Sequence, residues 1–128
     1  MMDFYDPAVD PDPVEWLKLD EAERIGLAAE YHRAAADSVP NLTLHAAIHC
    51  TVETQIAMGD DLPIWVTLTR LIGEGLARHD AIHAIGSALT ETMYNMLSKA
   101  EKTGEDSNAA YFSALDRLTA KGWRQGAR

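Results

Sequence analysis

Apolar positions recur along this chain at steps of three and four, and strict alternation never lasts more than a few residues, so beyond residue 12 the pattern is helical. Asp12 followed by Pro13 opens a short first helix, with the aspartate as N-cap, the proline at the first helical position, and Val14, Trp16 and Leu17 turned to the body. Asp20 with Glu23 three residues later has the form of a capping box. The helix it starts carries Ile25, Leu27, Ala28, Tyr31 and Ala35 and runs to about Asp37, before the break at Ser38, Val39 and Pro40. Asn41 caps a third helix that reaches Met58 and stops at Gly59. Asp60, Asp61 and Pro63 introduce a fourth, with Ile64, Trp65, Leu68, Leu71 and Ile72 as its apolar side. A long fifth helix follows over about residues 77–102, with Gly104 as its stop. The last runs from Ser107 to Gly122 and carries Tyr111, Phe112, Leu115 and Leu118. The expected fold is all-α: a compact bundle of four main helices plus a short helix at each end. Residues 1–12 read as an extended acidic arm, 13–121 as a single helical domain, and 122–128 as a short basic tail.

On this frame the histidines stand out. His45 and His49 are four apart, as are His79 and His83, so HxxxH occurs on two separate helices. Positions i and i+4 share a helix face, and two imidazoles so spaced can hold one divalent metal. At about 100° per residue, with Leu44 at zero, Ile48, Val52 and Ile56 fall near 40°, 80° and 120°. His45 then falls near 100°, His49 near 140° and Glu53 near 180°, the last just outside the apolar stripe. On the fifth helix His79 and His83 flank a stripe of Ile82, Ile85, Leu89, Met93 and Met96. If the two shoulders face each other, four imidazoles converge, and Glu53 is the nearest candidate carboxylate. The metal-ligand set is then His45, His49, Glu53, His79 and His83, for one divalent ion: zinc, iron, nickel or manganese. Catalytic residues are not identified. The same residues would also serve as an inter-helix hydrogen-bond cluster without metal, and the pattern leaves both open.

Composition narrows the class. The chain has 128 residues, 47% of them hydrophobic, enough for one core. Its formal net charge is −9, which repels phosphate backbones and argues against nucleic acid or anionic membrane as a partner. Cys50 is the single cysteine, so neither an internal disulfide nor a cysteine-rich zinc site can form, and it reads as a small packed residue. No secretory pattern begins the sequence, and no apolar run has the ~18 residues of a membrane span, so the expected location is cytoplasmic. His79-Asp80 forms an HD dipeptide similar to the signature of HD-type phosphohydrolases, but Asp116 is only a formal candidate for their distant third aspartate. His32 reads as a solvated or inter-helix residue, and Met58, Met93 and Met96 as core filler.

Residues 16–97 resemble a family of short uncharacterised bacterial helical proteins defined as a domain of unknown function. The segments that carry the resemblance are LHAAIHCTVETQIAMGDDLP and LARHDAIHAIGSALTE, with the paired histidines, Glu53, Gln55 and an Asp/Pro turn. The resemblance implies an all-α fold and no activity. The leading expectation is a small helical protein with a two-helix histidine cluster as a candidate divalent-metal site. Two alternatives remain: a protein-interaction or homo-oligomerising module, with Trp16, Tyr111, Phe112 and Trp123 available to a partner, and a metal-dependent hydrolase.

Overall fold

A computed structural model describes residues 2–35, 39–99 and 107–126. Among the described residues the secondary structure is helical, with no strand. In chain order it comprises α1 (Pro13–Lys18), α2 (Glu21–Ala34), α3 (Leu42–Ala57), a 3-10 turn (Gly59–Asp61), α4 (Pro63–Gly73), α5 (Arg78–Lys99), α6 (Ser107–Arg117) and α7 (Ala120–Gly126). None of these helices is long and apolar enough to cross a membrane.

The helix starts follow local chemistry. Asp12 accepts from the amides of Val14 and Glu15, with Pro13 at the first position of α1. Asp20 and Glu23 form the reciprocal capping box, and Asn41 accepts from Leu44 N. Each satisfies amides that a helix leaves without an internal partner. Gly59 and Gly75 take φ values of 67° and 105°, a left-handed backbone that lets the chain turn after α3 and after α4. The expected end of α2 near Asp37 and Ser38, and the stop of α5 at Gly104, lie outside the described residues.

α3 is the shared element of two apolar clusters. Its Ala46 joins Tyr5, Trp16 and Ala28, packing the arm, α1 and α2 on one side. Its Val52 and Ile56 join Ile64, Leu68 and Leu71 of α4, Ile82 and Ile85 of α5, and Tyr111 and Leu115 of α6 on the other. Gly86 of α5 lies where a Cβ would come within 2.8 Å of Ile48 Cγ2, so α3 and α5 approach closely because this residue has no side chain.

Two expectations change, and the arm gains a contact: its Tyr5 and Pro7 are buried, Tyr5 packing with Trp16, Ala28 and Ala46. The last helix is two, broken at Leu118 and Thr119, where Thr119 Oγ1 accepts from Gly122 N. The presumed basic tail therefore begins inside α7, and its Arg124 donates to Gly75 O at 2.6 Å. Finally, Met58, Met93 and Met96 are exposed rather than core filler. For the latter two the cause is length. The ring of His45 meets that of His83 edge-on, and His49 meets His79 likewise, so α3 and α5 run antiparallel, and α3, whose Ile48 lies against Gly86, begins at Leu42. Beyond it α5 has outrun α3, and Met93, Tyr94, Met96 and Leu97 are left uncovered.

Candidate metal centre

The i,i+4 spacing on α3 and on α5 stacks each pair, with ring centroids 4.9 Å apart for His45 and His49 and 4.4 Å for His79 and His83. Close approach of the helices at Gly86 then brings the pairs together: His49 lies 5.1 Å from His83 and 5.2 Å from His79. α2 adds a fifth ring. His32, fully buried, sits 4.5 Å from both His45 and His49. All five histidines of the chain thus share one cluster at the junction of α2, α3 and α5.

Four of them could hold a metal ion. One ligand atom each from His32, His45, His49 and His83 lies within 4.8 Å of the others. Of the residues expected from the sequence, His45, His49 and His83 belong to this set. His79 stands beside it, ring to ring with His83 and 5.8 Å from Tyr31. Glu53 points elsewhere. Its Oε1 accepts from Arg78 Nη2 at 2.7 Å, and its Oε2 accepts from Arg78 Nη1 at 2.8 Å and from Tyr5 Oη at 2.6 Å. Asp80 and Asp116 are exposed, so the HD dipeptide brings no carboxylate to the cluster.

Hydrogen bonds around the cluster fix which nitrogens face inward. His32 Nδ1 lies 2.8 Å from Ala28 O. A carbonyl only accepts, so Nδ1 carries the proton and a neutral ring has its lone pair on Nε2. His49 Nδ1 lies 3.0 Å from Tyr5 Oη. The Tyr5 proton goes to Glu53 Oε2, which also accepts from Arg78, so His49 Nδ1 is the donor to Tyr5. His49 Nε2 is then an acceptor, and it lies 3.1 Å from His83 Nε2. Two imidazole nitrogens at adjacent positions on one metal ion, each at about 2.0–2.1 Å from it, would be separated by about 2.9–3.3 Å.

The electrostatics match this arrangement. Burial pushes His49 down to about 2, helped by the charges that His32, His83, His45 and His79 would carry, so its ring is neutral at ordinary pH. Burial and the Glu53 charge raise Tyr5 above the usual phenol range, which keeps its proton in place. Burial works against the Arg78 charge, but Glu53 and Asp10 outweigh it and hold the guanidinium above its ordinary value. Arg78 also ties down the arm, donating to Asp10 Oδ1 at 2.6 Å and to Pro7 O at 2.9 Å.

A cavity of about 350 Å³ opens beside the cluster, lined by His45, His49 and His83 with Ile48, Ile82, Gly86, Ser87, Thr90 and Trp123. Three of the four set members therefore face a route from solvent, and His32 closes the far side. Sequence reasoning missed His32, Tyr5, Arg78 and Trp123. The available signal for His32 was its place one turn after Ala28, on the face of α2 that turns inward. The others reach the site only through tertiary contacts. Comparison with known proteins gave no matching family model, no matching curated protein and no matching solved structure.

Proposed function

We propose that this protein binds a single divalent transition-metal ion through His32, His45, His49 and His83. The observation that carries the reading is the convergence of four imidazoles from three helices within 4.8 Å. Support comes from the outer contacts. Metal-ligating histidines characteristically donate their other ring nitrogen to a carbonyl or carboxylate, which fixes tautomer and orientation. Ala28 O does this for His32, and Tyr5, backed by Glu53, does it for His49. Without metal, the short contact between His49 Nε2 and His83 Nε2 is bridged by a proton on His83, and a metal ion takes that proton's place.

With imidazole as donor and Glu53 engaged by Arg78, the site suits zinc, iron, nickel or copper better than manganese, which prefers oxygen. The test is metal titration of chelator-treated protein lacking a polyhistidine tag. Zinc or nickel at a hundredfold excess over its dissociation constant should add about 2.7 kcal/mol to stability in the wild type. His49→Ala should show no such gain. Equal responses of the two proteins would refute the site.

One observation favours a second reading, a self-associating module: Tyr94 and Leu97 on α5 are 69% and 82% exposed, next to exposed Met93 and Met96. A mass that rises with concentration, and falls back on Leu97→Glu, would support it. It is compatible with metal binding.

A further inference from the structure

We infer that the cavity beside the histidine cluster takes a small organic anion with a short apolar body, its charged head bound to the metal; this rests on the metal reading above. The first argument is charge. The four ligands are neutral imidazoles, so a divalent ion would bring two uncompensated positive charges into a buried site. Glu53 is the buried carboxylate nearest the cluster, but Arg78 pairs with it and cancels its charge. Asp10, the other partner of Arg78, is 76% exposed and largely screened by water. None of the described residues lining the cavity is acidic. A ligand entering through the cavity, the route onto which His45, His49 and His83 open, would supply the compensating charge. Hydroxide would supply one negative charge, and a carboxylate supplies the same.

The second argument is shape and lining. About 350 Å³ is the lower end of the range for small-molecule sites, far more room than one hydroxide needs. Ile48, Ile82 and Trp123 form apolar walls that gain by covering hydrocarbon. Thr90 Oγ1 gives its proton to Gly86 O at 2.8 Å, so toward the cavity it offers lone pairs only. Apart from Ser87, the wall beyond the histidines thus suits a short hydrocarbon body, with the charge at the metal end. Trp123 reaches this position because α7 is fixed to the turn before α5 by Arg124 on Gly75 O.

The experiment uses the full chain loaded with Co(II), whose visible absorption reports its coordination. Azide, formate, acetate, propionate and butyrate are titrated in turn, with butyramide as the neutral control. Azide and the carboxylates should shift the cobalt bands and butyramide should not. Affinity should rise about threefold to fourfold for each methylene added from acetate to butyrate. Trp123→Ala should flatten that series. Cobalt that binds with bands unmoved by any anion would overturn the inference and leave the metal reading standing. So would equal affinities for acetate, propionate and butyrate. Failure of cobalt to bind at all would overturn both.

Discussion

Replacing Tyr5 by Phe removes one oxygen from the centre of the buried network and leaves the ring where it packs on Trp16, at 5.6 Å between centroids. That oxygen makes two hydrogen bonds, one donated to Glu53 at 2.6 Å and one accepted from His49 Nδ1 at 3.0 Å. A hydrogen bond to a charged partner contributes about 1.5–3 kcal/mol and a neutral one about 1. Glu53 keeps Arg78, which softens the first loss, but the His49 N–H is left buried without its acceptor. The expected destabilisation of the metal-free protein is about 2–4 kcal/mol, read from urea unfolding. Because the lost contact also orients a ligand, metal affinity should fall about 10-fold to 100-fold, read by calorimetric titration. A loss of packing alone would move the first quantity and leave the second. A variant within about 0.5 kcal/mol of wild type, with unchanged metal affinity, would refute the wiring of Tyr5 to His49.

Arg78→Met leaves Glu53 buried and without its bidentate partner, so it should cost about 3–5 kcal/mol and free the arm to proteolysis near Asp10; an uncleaved, fully stable variant would contradict the pairing. Gly86→Ala would press a Cβ to 2.8 Å from Ile48 Cγ2, and it should cost about 1–3 kcal/mol while lowering metal affinity, because α3 and α5 must separate. The pH dependence follows from His49, whose folded value lies near 2 against 6.5 unperturbed. Its pKa is depressed, so the unfolded chain binds the proton first, and stability is full above 6.5 and declines below it by up to about 1.4 kcal/mol per pH unit. Urea midpoints that stay level between about pH 7.5 and 5 would show that His49 is not held neutral.

What the sequence made legible was local. Helix starts at Asp12, Asp20 and Asn41 were readable because a cap and its amide lie within three residues. His45, His49, His79 and His83 were readable because one helical turn fixes their faces. Glu53 shows where such reasoning ends. Its helical angle placed it just off the apolar stripe, next to His49, and both facts hold. Yet it is 1% exposed, because the arm roofs that face with Tyr5, and Arg78 reaches it from 25 residues away. Pairing over such separations has no periodic signature. For His32 the place one turn after Ala28 marks an inward face, but nothing on α2 tells that His45 and His49 lie opposite it. The methionines of α5 were misplaced for a related reason: an apolar stripe predicts a face, but only the start of α3 at Leu42 decides how much of it is covered.

X-ray absorption on tag-free protein, combined with elemental analysis, bears most directly on the four-histidine site. One zinc, nickel, copper or iron per chain is expected. Its nearest shell should be light atoms at about 2.0–2.1 Å, with the multiple-scattering signature of about four imidazole rings, reduced by one in His32→Ala. Protein that takes up no metal, or a shell dominated by carboxylate oxygen and indifferent to His32→Ala, would contradict it.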